Sequence, residues 1–90
     1  MYQVEFRPKA AQEFDNLNQV VADRLLKKLR WLAENFDSLR PEPLTGPFSG
    51  LLKLRVGDYR VIYQVNRETR ILTVRLVGHR REIYDQPLLP

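Results

Sequence analysis

Ninety residues with no cysteine and a single histidine leave room for one small core, and exclude both a disulfide scaffold and a thiolate metal site. A hydrophobic share of 43% is that of a globular chain, and no stretch approaches the roughly 20 apolar residues that span a bilayer. The net charge of +4 is unevenly placed: residues 51–90 hold eight Lys and Arg against four Asp and Glu, whereas residues 1–50 hold seven of each. A neutral half joined to a basic half suggests a scaffold carrying an anion-binding surface, for which nucleic acid is the natural partner. The N-terminus lacks the apolar core of a signal peptide, so a cytoplasmic chain without membrane contact is expected.

From the N-terminus, Tyr2, Val4 and Phe6 alternate with Gln3 and Glu5, the pattern of a half-buried strand. Pro8 ends it and suits the first turn of a short helix over residues 8–16, with Ala10, Ala11, Phe14 and Leu17 at helical spacing. Asn18 is placed to cap a longer helix whose apolar stripe is Val21, Leu25, Leu29, Leu32 and Phe36. Lys27, Lys28 and Arg30 lie off that stripe and read as a solvated face, with contact to ribosomal RNA as the lesser alternative. Trp31 also falls off the stripe. It is expected to pack on the following loop, the alternative being an exposed anchor for a partner.

Residues 37–50 carry Pro41, Pro43, Gly46, Pro47 and Gly50 and cannot continue a helix. Leu39, Leu44 and Phe48 are expected to pin this loop to the core. Leu52, Leu54 and Val56 then alternate with Lys53 and Arg55, giving a strand with one apolar and one basic face. Gly57-Asp58 is a tight-turn signal. The return strand puts Tyr59, Val61, Tyr63 and Val65 on one side and Arg60, Ile62 and Gln64 on the other, with the tyrosines read as core. After a turn at Asn66–Thr69, a third strand sets Leu72, Val74 and Leu76 opposite Thr73, Arg75 and Val77. The order β-α-α-β-β-β predicts a single α+β domain over 1–90, a helical hairpin on a curved antiparallel sheet.

One histidine and no acidic cluster leave no set of metal ligands, and there is no Gly-rich phosphate loop or serine–histidine–acid set. Chemistry here would fall to Arg, Lys and Tyr, with no cofactor. RNA can be cleaved under those limits because its 2′-hydroxyl is a built-in nucleophile. The protein need only accept that proton, stabilise the phosphorane and protonate the leaving 5′-oxygen.

Two segments carry a resemblance. Lys53-Leu54-Arg55-Val56-Gly57-Asp58-Tyr59-Arg60-Val61-Ile62-Tyr63-Gln64-Val65 and Val77-Gly78-His79-Arg80-Arg81-Glu82-Ile83-Tyr84 resemble the RelE/ParE superfamily of bacterial toxins, in a chain whose length and element order also agree. The resemblance, closest to the RelE-type mRNA interferases, implies a type II toxin that cuts messenger RNA in the ribosomal A site without a metal. It also implies a cognate antitoxin, whose complex would bind operator DNA. By position, Lys53 matches a residue neutralising the scissile phosphate, and Arg60 the one stabilising the phosphorane. Arg80 matches the residue that protonates the leaving group, and Tyr84 the one that stacks on a base or orients the 2′-hydroxyl. Arg55, Arg81 and His79 are the expected further RNA contacts, His79 with a second possible use as acid or base.

One departure stands out: Leu51 occupies a position where the RelE pattern has a second lysine, so that Arg55 or His79 compensates, activity is weaker, or the general base lies elsewhere. The alternative within the superfamily is a ParE-like inhibitor of DNA gyrase, which the joint presence of Arg60, Arg80 and Tyr84 argues against. The nuclease reading requires Lys53, Arg60, Arg80 and Tyr84 to converge on one phosphodiester.

Overall fold

The structure, a computed structural model, describes residues 1–86; the last four residues of the expected 1–90 domain lie outside the described residues. Strand β1 (Gln3–Phe6) leads through helices α1 (Pro8–Asp15) and α2 (Gln19–Asn35) to a two-residue strand β2 (Glu42–Pro43). Strands β3 (Leu52–Val56), β4 (Tyr59–Asn66) and β5 (Ile71–His79) follow, and a 3-10 turn at Ile83–Asp85 comes last among the described elements. Pro8 opens α1 at a position whose N–H would be unpaired anyway. Asn18 caps α2 as its sequence predicts, its side-chain oxygen accepting from the Val20 N–H at 2.8 Å.

The sheet runs β1-β5-β4-β3-β2. It is mixed, which corrects the wholly antiparallel expectation: β1 pairs with β5 in parallel, Gln3 beside Ile71 and Phe6 beside Val74. The connection between them runs through both helices and the other three strands, well beyond the roughly dozen residues a parallel pair requires. Strand β2 was not foreseen. Pro41 and Pro43 hold Glu42 extended, and the sheet edge is where a strand proline, lacking an N–H, is tolerated.

Two cores result, one on each face of the sheet. On the helix face, Leu25, Leu29, Leu32 and Phe36 of the predicted stripe meet Leu54, Val61, Tyr63, Leu72 and Val74. Tyr2 packs edge-on against Phe36 at 5.0 Å between ring centroids, and its phenol donates to Asp37 at 3.2 Å. The other face is capped by Phe48, Leu51, Ile62, Leu76 and Ile83, with Leu44 alongside. Loop residues Leu39, Leu44 and Phe48 therefore do anchor their segment, Leu39 to the first core and the other two to the second.

A register shift opposite Ile62/Tyr63 makes the two cores fit. Ile62 pairs with Leu76 but Tyr63 pairs with Val74, so Arg75 is an extra residue in β5. Beyond that bulge the strand changes phase. Leu76 joins the second core and Val77 the first, the reverse of the simple alternation expected for 72–77. The Val77 N–H, past the end of β1, is satisfied by the Glu13 carboxylate of α1 at 3.1 Å.

Candidate functional site

The face of the sheet away from the helices carries the basic residues, since Lys53 lies opposite Ile62 and Arg55 opposite Arg60 while Leu52 and Leu54 turn to the helix side. Lys53 stands among groups that hold its charge. Its ammonium is paired with the Glu42 carboxylate on the neighbouring strand. The contact with Glu42, and to a smaller degree the nearby Tyr84 phenol, raises the Lys53 pKa above its ordinary value against the opposing effect of burial. The same hydrogen bond and charge hold the Glu42 carboxyl below its ordinary range, with Arg55 and Arg60 adding at longer distance. Tyr84 reaches this spot because Ile83, fully buried, plugs its 3-10 turn into the second core. The Tyr84 ring then rests edge-on against Phe48 at 5.9 Å and stays 40% exposed.

Arg60 and Arg80 gather at the β3–β4 hairpin instead, two residues or about 7 Å along the strand from Lys53. Arg60 is 9% exposed, and its Nη1 donates to the carbonyls of Gly57 and Tyr59, each at 2.9 Å. Gly57 sits at φ 59°, the left-handed turn geometry that leaves those carbonyls pointing back at the guanidinium. Arg80 is tied to the same turn twice. Its backbone N–H donates to the Asp58 carbonyl at 2.8 Å, and its Nε lies 3.6 Å from the Asp58 carboxylate. Arg55 is exposed beside Arg60 on the adjacent strand.

The four residues thus fall into two groups, Lys53 with Tyr84 near it, and Arg60 and Arg80 both tied to the β3–β4 turn, with Lys53 and Arg60 on the same face of the sheet. Arg81 is exposed in the turn that follows β5. His79 is placed elsewhere. It pairs with Tyr59, its ring edge-on to that tyrosine at 5.5 Å, in a hollow on the helix side lined by Glu13, Asn16 and Glu82. Its Nδ1 accepts the Arg81 N–H at 3.2 Å, so it is not brought to Lys53.

Leu51 is 7% exposed within the second core, so the position that a lysine fills in the RelE pattern is here a packing position. The residue that sequence reading missed is Glu42. Its signal was present in Pro41-Glu42-Pro43, an acid fixed in extended backbone by two prolines, but nothing local says which strand it joins. No cluster of His, Cys, Asp and Glu suited to a metal occurs among the described residues, and no helix there is long and apolar enough to cross a membrane.

Comparison with known proteins agrees with this architecture. A family model described as the ParE toxin of type II toxin–antitoxin systems matches residues 4–84. A putative RelE-like toxin protein of Escherichia coli is 32% identical over 93% of this chain and 90% of its own length. The mRNA interferase toxin RelE of Escherichia coli K12 is 33% identical over 94% of this chain and 92% of its own. The isolated Escherichia coli RelE toxin superposes with a TM-score of 0.74 at 27% identity, covering 88% of this chain and 84% of that one. The toxin–antitoxin complex RelBE2 from Mycobacterium tuberculosis gives 0.77 at 22% identity, covering 87% and 96%, a likeness of fold. With a family match across nearly its full length and RelE relatives at about a third identity, the chain belongs to the RelE/ParE superfamily of type II toxin–antitoxin toxins.

Proposed function

We propose that this toxin is a ribosome-dependent mRNA endoribonuclease, cutting by transesterification without a metal. The observation that carries the reading is the Glu42–Lys53–Tyr84 group beside Arg55 and Arg60 on one basic face, with Arg80 held at the adjoining turn. The Glu42 carboxylate takes the proton of the 2′-hydroxyl. The O2′–P bond forms, and Lys53 and Arg60 stabilise the added negative charge. The P–O5′ bond then breaks, with Arg80 donating a charged hydrogen bond to the departing oxygen and Tyr84 or water supplying its proton. Arg80 cannot itself be the proton source, because a guanidinium keeps its proton throughout the physiological range. The products are a 2′,3′-cyclic phosphate and a 5′-hydroxyl.

The ion pair gives this mechanism a built-in trigger. While Lys53 holds Glu42, the carboxylate is ionised but a weak base. An arriving phosphate competes for Lys53, and Glu42 recovers basicity as the charge beside it is shared. The ribosome supplies the alignment of message that an open face cannot. The expected partners are mRNA and ribosomal RNA in the A site and a cognate antitoxin, with operator DNA reached through the antitoxin complex. Structural neighbours solved as RelBE and RelE–RelB complexes support the antitoxin.

The test is Arg80→Ala. Its side chain is half-exposed and ends in a loose ion pair, so the variant folds, yet it loses A-site cleavage and growth arrest. Normal cleavage by the folded variant, read by primer extension on a translated message, overturns the assignment. Gyrase-dependent DNA breaks with messages intact would point to the ParE-like alternative.

A further inference from the structure

Trp31, the chain's single tryptophan, is 40% exposed on α2 although large aromatic side chains are usually buried. It does not disappear into the proline-rich loop. It faces that loop across a cleft of about 230 Å³ between α2 and the edge of β3, reaching Lys53 and Arg55. Because β2 covers only Leu52 and Lys53, the Leu54–Arg55 stretch of β3 is an open edge there. The Lys28 ammonium lies 3.9 Å from the Trp31 ring centroid, and Arg40 lines the opposite wall. Arg40, Lys53 and Arg55 are the further basic residues lining the same cleft, with Glu42 its one acidic lining residue.

An exposed aromatic platform in a cleft lined by basic residues is the arrangement that binds single-stranded nucleic acid: bases stack on the ring and phosphates meet the charges. The cleft is smaller than the about 300–1,000 Å³ of pockets that enclose a drug-sized ligand, which suits one planar ring rather than a folded ligand. A protein helix would need a longer apolar trough. One exists elsewhere, between β1 and α2, lined by Met1, Val4, Phe6 and Leu26. We propose that the Trp31 cleft is a nucleotide subsite that stacks one unpaired base of the RNA strand beside the phosphodiester held at Lys53. This rests on the nuclease reading for its position next to the reacting phosphate, but not for its chemistry.

The single tryptophan reports directly. The full chain is titrated at low salt with a short unstructured oligoribonucleotide carrying 2′-O-methyl groups, which cannot be cut, and binding is followed in parallel by anisotropy of a labelled copy. Stacking quenches Trp31 fluorescence with the same midpoint as the anisotropy. Trp31→Phe keeps affinity within about threefold and Trp31→Ala loses on the order of tenfold or more, the loss expected for one stacked base. The quench persists in Arg80→Ala, which separates the subsite from the cleavage step. Binding without quenching, or undiminished binding by Trp31→Ala, overturns the subsite while leaving the nuclease reading standing. Quenching by an acidic peptide but not by RNA overturns it in favour of a protein partner. Quenching with no cleavage on programmed ribosomes upholds the subsite and removes the nuclease; no binding of the free oligoribonucleotide removes the subsite, while cleavage on programmed ribosomes still decides the nuclease.

Discussion

Glu42 on the edge strand β2 and Lys53 on its neighbour β3 form an ion pair, and each shifts the other's proton affinity outward from neutrality. Glu42 lies below its ordinary 4.5, so its contribution to the fold is present above that pH and lost as pH falls through the lower value in the folded state. Lys53 lies above its ordinary 10.5, so its contribution is present below 10.5 and lost as pH rises through the higher folded value. Neither group titrates near neutrality. Cleavage is therefore expected to be flat from about pH 5.5 to 9, and Glu42→Gln to lower kcat by about 10²–10⁴ with little change in Tm. Wild-type cleavage by Glu42→Gln would move the proton transfer to another group.

Arg60 has two duties that mutation separates. Its Nη1 joins the carbonyls of Gly57 and Tyr59, so the guanidinium proposed to stabilise the phosphorane also closes the hairpin. Hydrogen bonds to a charged donor contribute about 1.5–3 kcal/mol, so Arg60→Ala is expected to cost about 2 kcal/mol and lower Tm by roughly 10 °C. Arg80→Ala, by contrast, leaves Tm within a few degrees. Equal Tm values for the two variants, measured by circular dichroism, would contradict this division.

Legibility followed how local each determinant is. Both helices, the Asn18 cap and strands β3 and β4 rest on spacing within a few residues, and the structure bears them out. The parallel pairing of β1 with β5 was hidden because no local pattern names a partner some seventy residues away. The bulge at Arg75 was hidden for another reason: Leu76 and Val77 are both apolar, so either phase of alternation satisfies the pattern. At the site, the family motif singled out Lys53, Arg60, Arg80 and Tyr84, which fall into two groups: Lys53 near Tyr84, and Arg60 and Arg80 at the β3–β4 turn. It could not show that Leu51 is core, or that Glu42 arrives from a proline-bound edge strand to stand against Lys53.

Tyr63 gives an alkaline signature to the core. Its ring is 1% exposed beside Phe36, and burial pushes its phenol up to about 12. The unfolded chain ionises this group near its ordinary 10.0, so stability falls as pH rises from there toward 12. The loss amounts to about 2–3 kcal/mol, two units at 1.36 kcal/mol each. Urea unfolding at pH 8 and pH 11.5 should show a drop that Tyr63→Phe lacks. The same drop in the Phe variant would place the alkaline transition elsewhere.

Gly78 fixes where Tyr84 points. A Cβ built on Gly78 would lie 3.2 Å from the Ile83 Cδ1, and Ile83, fully buried, has little room to withdraw. Gly78→Ala is therefore expected to lift the Ile83–Asp85 turn, costing about 1–3 kcal/mol of overpacking and taking Tyr84 away from Lys53. Ile83→Val deletes the Cδ1 that would clash. Alone it costs about 0.5–1.5 kcal/mol, yet paired with Gly78→Ala it should recover stability, giving a favourable coupling in a double-mutant cycle. If the turn is what positions the phenol, cleavage recovers together with stability in the pair. Recovery of stability without cleavage would mean that Tyr84 needs the isoleucine side chain itself, and additive losses would mean that the contact between Gly78 and Ile83 does not set the turn.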